Sequence, residues 1–342
     1  MEPGKVDRDF FDRHIQGKLG ATRSDVSLGP TFGADFGLIS VDDSAVALAT
    51  DPIFVLRDLG LERAAWFAFH VVLSDVALSG LRPTHLALDL TLPPGTDPET
   101  FETIWDVFDA EARELDVSIV TGHTGAYAGA DFPTIGGGTA LAVGDPEAVV
   151  RPTGAKPGDR LLVTKGPAIE TTGILSTVFG DAIDLSQEVT NEAQKRFFDT
   201  SPVEDARVAA AAGPVTAMHD ATEGGLANAM HELAHASGVG FAVESAAVPS
   251  LAGVEPVCEY FDIDPWMASS SGTVLLTVSP GGASKVREAL ELDGIPAAVV
   301  GEVTATEEVT IDDEPIPVPE TDPFWPTYED LRATHGPPEQ RD

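Results

Sequence analysis

Residues 66–80 are apolar on nearly every face, and Gly80 with Pro83 just beyond closes the run. A helix without a polar side must be covered all round, so this stretch demands a large core with other elements packed against every side of it. Within it stands Asp75, flanked by Val72, Leu73, Val76, Ala77 and Leu78. A carboxylate withdrawn from water is costly unless something compensates it. Two compensations are open: a structural pair with an arginine or a helix N-terminus, or a bound metal ion.

The chain has room for such a core. Its 342 residues, 43% of them hydrophobic, suffice for two domains of ordinary size. Acidic residues number 56 against 20 basic ones, a formal net charge of -36 that is dispersed along the chain. Such self-repulsion would oppose a compact state at low salt, so the composition predicts a halophilic cytoplasm, where charge is screened. It argues against nucleic acid or an anionic membrane as partner. Cys258 is the sole cysteine, which excludes an intramolecular disulfide and a cysteine-based metal cluster. Residues 1–11 carry charges where a signal peptide would be apolar, and no apolar run reaches membrane-spanning length. A soluble cytoplasmic protein is expected.

The remaining pattern predicts mixed α/β halves. In the first, a short amphipathic helix over 6–20 precedes a hairpin of strands 38–41 and 45–49, the second ending at Thr50-Asp51. After the Asp75 helix come a strand over 84–92, a helix over 97–115, and a strand over 117–120 running into the turn Thr121-Gly122-His123-Thr124-Gly125. Gly136-Gly137-Gly138 leads into a strand over 139–143, and the turn formers of 144–159 mark the boundary. The second half predicts strands over 160–165, before 219, 240–244, 272–278 and 297–303. Its helices fall over 169–179, 188–199, 203–212, 226–237 and 284–292. The division is 1–155, 156–320 and an acidic, Pro-rich tail, 321–342, expected on the surface or partly disordered.

Four aspartates stand at element ends or in Gly-rich turns: Asp35, Asp51, Asp75 and Asp220. Singly each is explained as a turn former or cap; collected, they would suit Mg2+, which takes carboxylate oxygens together with substrate phosphates. Two glycine turns could offer backbone N–H groups to phosphate: one carrying Gly122, His123 and Thr124, the other carrying Thr222, Gly224 and Gly225 at the start of a helix. His123 is open between a phosphate donor and a strand cap, and Lys165 between a phosphate counter-charge and an exposed strand end. His231 and His235 have the spacing of a zinc-protease helix, but no third ligand is evident, so an exposed helix face is expected. No activated nucleophile stands out.

Taken in order, Gly-x-Asp at 33–35, Thr50-Asp51, Leu73-Ser74-Asp75-Val76-Ala77 with Gly80 and Pro83, Gly122-His123-Thr124, Lys156-Pro157-Gly158-Asp159 and residues 220–226 resemble the aminoimidazole ribonucleotide (AIR) synthetase superfamily, also called PurM-like. The likeness covers about residues 5–305 and is nearest to the hydrogenase maturation proteins HypE and archaeal AIR synthase-related proteins. It implies a two-domain PurM-like fold: an N-terminal sheet domain that forms a homodimer, and a C-terminal α/β domain. It implies an ATP site between them, with Asp35, Asp51, Asp75 and Asp220 as Mg2+-ATP ligands. The expected activity is ATP- and Mg2+-dependent activation of an oxygen of a small-molecule substrate, by an enzyme of the phosphotransferase, ligase or dehydratase type. Thiamine-monophosphate kinase is the alternative, and a non-catalytic nucleotide-binding regulatory protein is the alternative of another class. The chain departs from HypE in ending without a cysteine and in carrying Glu223 and His123 where HypE has arginine and often aspartate.

Overall fold

The computed structural model describes residue 6 and residues 8–336. The expected start of the first helix at residues 6 and 7, and the last six residues of the expected tail, therefore lie partly or wholly outside the described residues. Two mixed sheets, flanked by helices, organise the chain. Two mixed α/β halves are what the sequence predicts.

After α1 (Arg8–His14), the first half carries β1 (Val26–Leu28), β2 (Gly37–Val41), β3 (Ser44–Phe54), α2 (Leu61–Ala77), β4 (Pro83–Leu92), α3 (Pro98–Glu114), β5 (Ser118–Ala126) and β6 (Thr134–Gly144). Its strands form one sheet in the order β1-β2-β3-β6-β4-β5, antiparallel except for the β4–β5 pair. The β2–β3 hairpin turns at Asp42, whose φ of 50° is one that aspartate tolerates better than most side chains. Asp97 caps α3 by accepting the Thr100 N–H at 2.8 Å, and the four-residue spacing of Ile104, Phe108 and Ala112 turns them all into the core.

The apolar run belongs to α2, which begins five residues earlier than its hydrophobicity alone suggests because Ala64 and Ala65 are also buried. It lies on β3 and β6. Gly138 makes this approach possible: a Cβ there would stand 2.6 Å from Val72 Cγ1. Asp75 itself is only half-buried, whereas Val72, Leu73 and Val76 around it are buried, so this residue stands at the margin of the core.

The second half carries β7 (Arg160–Thr164), α4 (Ile169–Phe179), α5 (Gln187–Lys195), α6 (Val203–Ala212), β8 (Val215–Asp220), α7 (Gly225–Ser237), β9 (Gly240–Val243), α8 (Val254–Tyr260), β10 (Val274–Val278), α9 (Ala283–Leu292), β11 (Ala297–Thr304), β12 (Val309–Ile311), β13 (Glu314–Pro315) and α10 (Phe324–His335). Its sheet runs β13-β12-β9-β11-β7-β10-β8, with only β9 and β12 parallel. β8 is thus an edge strand, and its last residues, His219 and Asp220, open toward α7.

Three expectations are corrected. Residues 121–125 do not form a turn: they continue β5, and Gly122 is needed because a Cβ would approach the Leu88 carbonyl oxygen to 2.6 Å. β3 does not stop at Thr50-Asp51 but runs to Phe54, because Asp51 and Pro52 pair with Gly138 and Gly137. The tail is not merely superficial, since Phe324 and Tyr328 of α10 are buried in the main core. Composition misled there: three aromatic side chains in an acidic segment are enough to anchor a helix. Among the described residues no helix is long and apolar enough to cross a membrane.

Candidate functional site

A cluster of ionisable side chains gathers where residues 33–36 cross α7. Gly33 allows the crossing, since its φ is +78° and a Cβ would lie 2.6 Å from the Glu232 carbonyl oxygen. Burial of Phe36 fixes the segment beyond it. Asp35 is thereby set against the end of β8, where its Oδ2 is 2.6 Å from His219 Nδ1. The opposite ring nitrogen, Nε2, is 2.9 Å from Glu232 Oε2 of α7.

Both carboxylates accept, so both ring nitrogens donate and the imidazole is cationic. His219 is only 3% exposed. Burial works against that charge, yet the charge and hydrogen bond of Asp35, then those of Glu232, outweigh it and hold the ring well above its ordinary pKa. One oxygen or nitrogen each from Asp35, His219 and Asp220 lie within 4.8 Å of one another. A pair of carboxylates with room for water and phosphate is the donor set a hard divalent cation uses. The histidine serves such an ion poorly as ligand but well as the partner that orients Asp35.

Of the four predicted carboxylates, the structure brings Asp35 and Asp220 into this cluster and leaves Asp51 and Asp75 outside it. Those two share a second neighbourhood. Asp51 stands opposite Gly138 in the β3–β6 ladder, Val72 rests on Gly138, and Asp75 follows three residues later on the same side of α2.

Four residues beyond Asp220, the predicted phosphate turn does open α7. Gly224 and Gly225 both take left-handed φ values, 77° and 62°, and Gly225 N–H closes the turn on the Thr222 carbonyl at 2.9 Å. A Cβ on Gly225 would meet the Ala268 carbonyl oxygen at 2.5 Å, so the glycine lets loop 266–271 close over the turn. In that loop Ser271 donates through its hydroxyl to Glu170 Oε2 at 2.6 Å. Burial pushes Glu170 up to about 7; the Ser271 hydroxyl pulls the other way, and the charges of Asp322 and Glu223 push it further up.

The other predicted contacts fall elsewhere. Gly122, His123 and Thr124 lie on the outer edge strand of the first sheet, with His123 Nε2 2.6 Å from Tyr127 Oη. Lys165 is neither an exposed strand end nor an available counter-charge. It is buried, pairs with Asp205 at 2.9 Å, and donates to the carbonyl oxygens of Asp199, Ser201 and Gly272 at 2.9, 2.8 and 3.1 Å. An ammonium has three protons, and all are committed. His231 is half-buried and donates to the Ile316 carbonyl at 2.9 Å, while His235 is exposed and lies near Arg8 and Phe32, so the expected exposed face holds for His235 and not for His231. His219, Glu170 and Asp322 are not marked out by the sequence as site residues, and Glu232 is marked only as the acid within the His231–His235 spacing. For His219 the signal is its place beside Asp220.

Comparisons with known proteins agree with this architecture. The N-terminal domain of AIR synthase related protein matches residues 33–143, and the C-terminal domain of the same family matches residues 156–314. The chain is 28% identical to carbamoyl dehydratase HypE of Rhizobium leguminosarum bv. viciae over 292 residues, covering 80% of this chain and 77% of that protein. It is 25% identical over 311 residues, 88% of each chain, to a putative hydrogenase expression/formation protein of Methanocaldococcus jannaschii. Among solved structures, Escherichia coli HypE superposes with a TM-score of 0.70 at 25% identity, over 82% of this chain and 88% of that one. With both domains of the family matched over more than half its length, the chain belongs to the AIR synthase related protein family, in which its sequence and fold resemble HypE.

Proposed function

We propose that the protein is an ATP- and Mg2+-dependent enzyme of HypE-like type that uses ATP phosphate to activate an oxygen of a small-molecule substrate. The observation that carries this reading is the meeting of Asp35 and Asp220, far apart in the chain, around His219 and beside the glycine turn that opens α7. Support also comes from a HypE structure solved in complex with ATP, with a TM-score of 0.65 at 22% identity over 92% of this chain and 93% of that one.

In this reading Asp35 and Asp220 hold the cation, with Asp51 and Asp75 as the second carboxylate pair facing the nucleotide. Mg2+ would supply charge neutralisation of the phosphates. The chain's own part is positional. Glu232 and His219 keep the Asp35 carboxylate in place, and the turn of Thr222, Gly224 and Gly225 at the positive end of α7, closed by the Gly225 N–H on the Thr222 carbonyl, presents the Gly224 N–H to phosphate oxygens. Removal of water from a carbamoyl group, the reaction that the HypE name carries, is one oxygen activation of this class.

A homodimer is the proposed working form, consistent with the exposed edge strand β5. A high-salt cytoplasm is the proposed setting, consistent with the net charge of -36. Thiamine-monophosphate kinase is the second reading, favoured by a structure of AaThiL complexed with AMPPCP and TMP that superposes with a TM-score of 0.68 at 19% identity, over 86% of this chain and 91% of that one.

Calorimetric titration with Mg2+-ATP at high salt, followed by ADP release with carbamoyl compounds and with thiamine monophosphate as acceptors, separates these outcomes. ADP release with one acceptor class names the reaction. Binding without release would point to a regulatory nucleotide-binding protein, and no Mg2+-dependent ATP binding overturns the reading.

A further inference from the structure

The N-terminus of α7 already holds an anion, and it comes from the chain itself. Asp322 Oδ2 accepts the Gly224 N–H at 2.8 Å and the Ser269 hydroxyl at 2.6 Å. Ser269 is 2% exposed, so its hydroxyl is a built donor and not a surface group that happens to be near. The other oxygen, Oδ1, accepts the Phe324 N–H at 2.8 Å and starts α10. Pro319 reaches the same turn from above, within 3.4 Å of where a Gly224 Cβ would stand.

The segment that delivers this carboxylate is held at its far end by the first half of the chain. Tyr328 Oη donates to Asp58 Oδ2 at 2.6 Å, and Arg332 Nε reaches the same oxygen at 3.2 Å. Trp325 packs edge-on against Phe54, with ring centres 5.8 Å apart, and Tyr328 against Phe179 at 5.4 Å. Residues 322–332 thus form a strap anchored on elements of both halves, with one acidic group laid into the glycine turn.

The surroundings do not favour a carboxylate for its own sake. The charges of Asp322 and Glu223 both act on Glu170. A third acid among them is retained by the buried aromatic anchors and by the two donors, and it is these donors that would receive a phosphate oxygen once the acid withdraws.

We propose that residues 322–332 are an autoinhibitory strap in which Asp322 occupies the phosphate seat formed by Gly224 N–H and Ser269 Oγ and must leave before a nucleotide phosphate can bind there. This rests on the reading that the glycine turn of α7 takes phosphate. Two groups cannot use one N–H at full strength, so nucleotide binding and strap docking are mutually exclusive and each weakens the other by the same factor.

The test is equilibrium binding of Mg2+-ATP, and separately of pyrophosphate, to the full chain and to its Asp322→Ala and Tyr328→Phe variants. Hydrogen exchange of residues 322–332 is followed with and without pyrophosphate. Asp322→Ala should bind both anions about tenfold more tightly, and Tyr328→Phe, which loosens the strap without touching the seat, a few-fold more tightly. Pyrophosphate should deprotect the strap in the unaltered chain. Unchanged or weaker binding in both variants, with unaltered exchange, overturns the strap even where ATP binds. Tighter pyrophosphate binding without any ATP binding keeps the strap and overturns the nucleotide reading, and binding of neither anion overturns both. If Asp322→Ala fails to fold, Tyr328→Phe and the exchange measurement decide.

Discussion

Nδ1 of His219 lies 2.6 Å from Oδ2 of Asp35, across 184 positions of sequence. This contact ties the segment between β1 and β2 of the first sheet to the edge strand of the second, and the remaining ring nitrogen is held by Glu232 at 2.9 Å. A buried cation between two acids is a joint whose loss leaves like charges facing each other. His219→Ala should therefore destabilise the protein by about 3–5 kcal/mol. Urea unfolding measures this. Adding Glu232→Gln to the variant should recover part of the loss, and strict additivity of the two changes would show that the three groups do not act together.

Asp35→Asn and Asp220→Asn should each weaken Mg2+-ATP binding at least about tenfold and abolish any rise in melting temperature on adding Mg2+. Asp75→Asn should weaken binding strongly while leaving the fold intact, because the side chain is half-buried at the margin of the core. Undiminished affinity in Asp75→Asn would return that residue to a structural role and confine the cation to the Asp35–Asp220 pair.

Glu170 gives the stability a pH dependence of known sign. Its carboxyl is pushed up to about 7 in the folded chain from the ordinary glutamate value of 4.5, first by burial. Between those values the unfolded chain has released a proton that the folded chain still holds, so stability falls as pH rises from 4.5 to 7 and is level above. The span corresponds to at most about 3 kcal/mol. Glu170→Gln should match the unaltered protein near pH 4 and exceed it by about 1–3 kcal/mol at pH 8, as chemical denaturation at the two pH values would show. An equal difference at both would sink the assignment.

Lys165 should prove structural. Lys165→Met leaves Asp205, 2% exposed, without its cation and should cost about 3–5 kcal/mol in unfolding experiments. The double variant with Asp205→Leu should regain much of it, since an apolar pair avoids an unpaired buried charge. Under strongly stabilising salt, Lys165→Met should bind Mg2+-ATP with little change. A selective loss of nucleotide affinity in a folded protein would restore Lys165 to the site.

Much of this architecture is legible in residue order because local physics decides it. The apolar run of α2, the four-residue spacing in α3, the Gly224-Gly225 opening of α7 and the strand alternation around Ala45, Ala47 and Ala49 each follow from periodicity or turn chemistry. The ordered motifs from Asp35 to Asp220 likewise carry the family, because each is a local string that can be read without coordinates. Local reading fails where an element is set by its neighbours. Residues 121–125 have the glycines of a turn, yet they form a strand because β4 offers an edge beside which only a bare Cα fits at Gly122.

The site divides along the same line. Sequence by itself determined which carboxylates could serve a cation and which turn could serve a phosphate, since those are properties of residue type and local backbone. Only the tertiary structure decided that Asp35 and Asp220 meet around a charged His219 while Asp51 and Asp75 stand apart. Only it spent Lys165 on Asp205 and laid Asp322 into the turn of α7. The physical reason is that charge pairing and desolvation act through space, between groups that the chain's order does not place side by side.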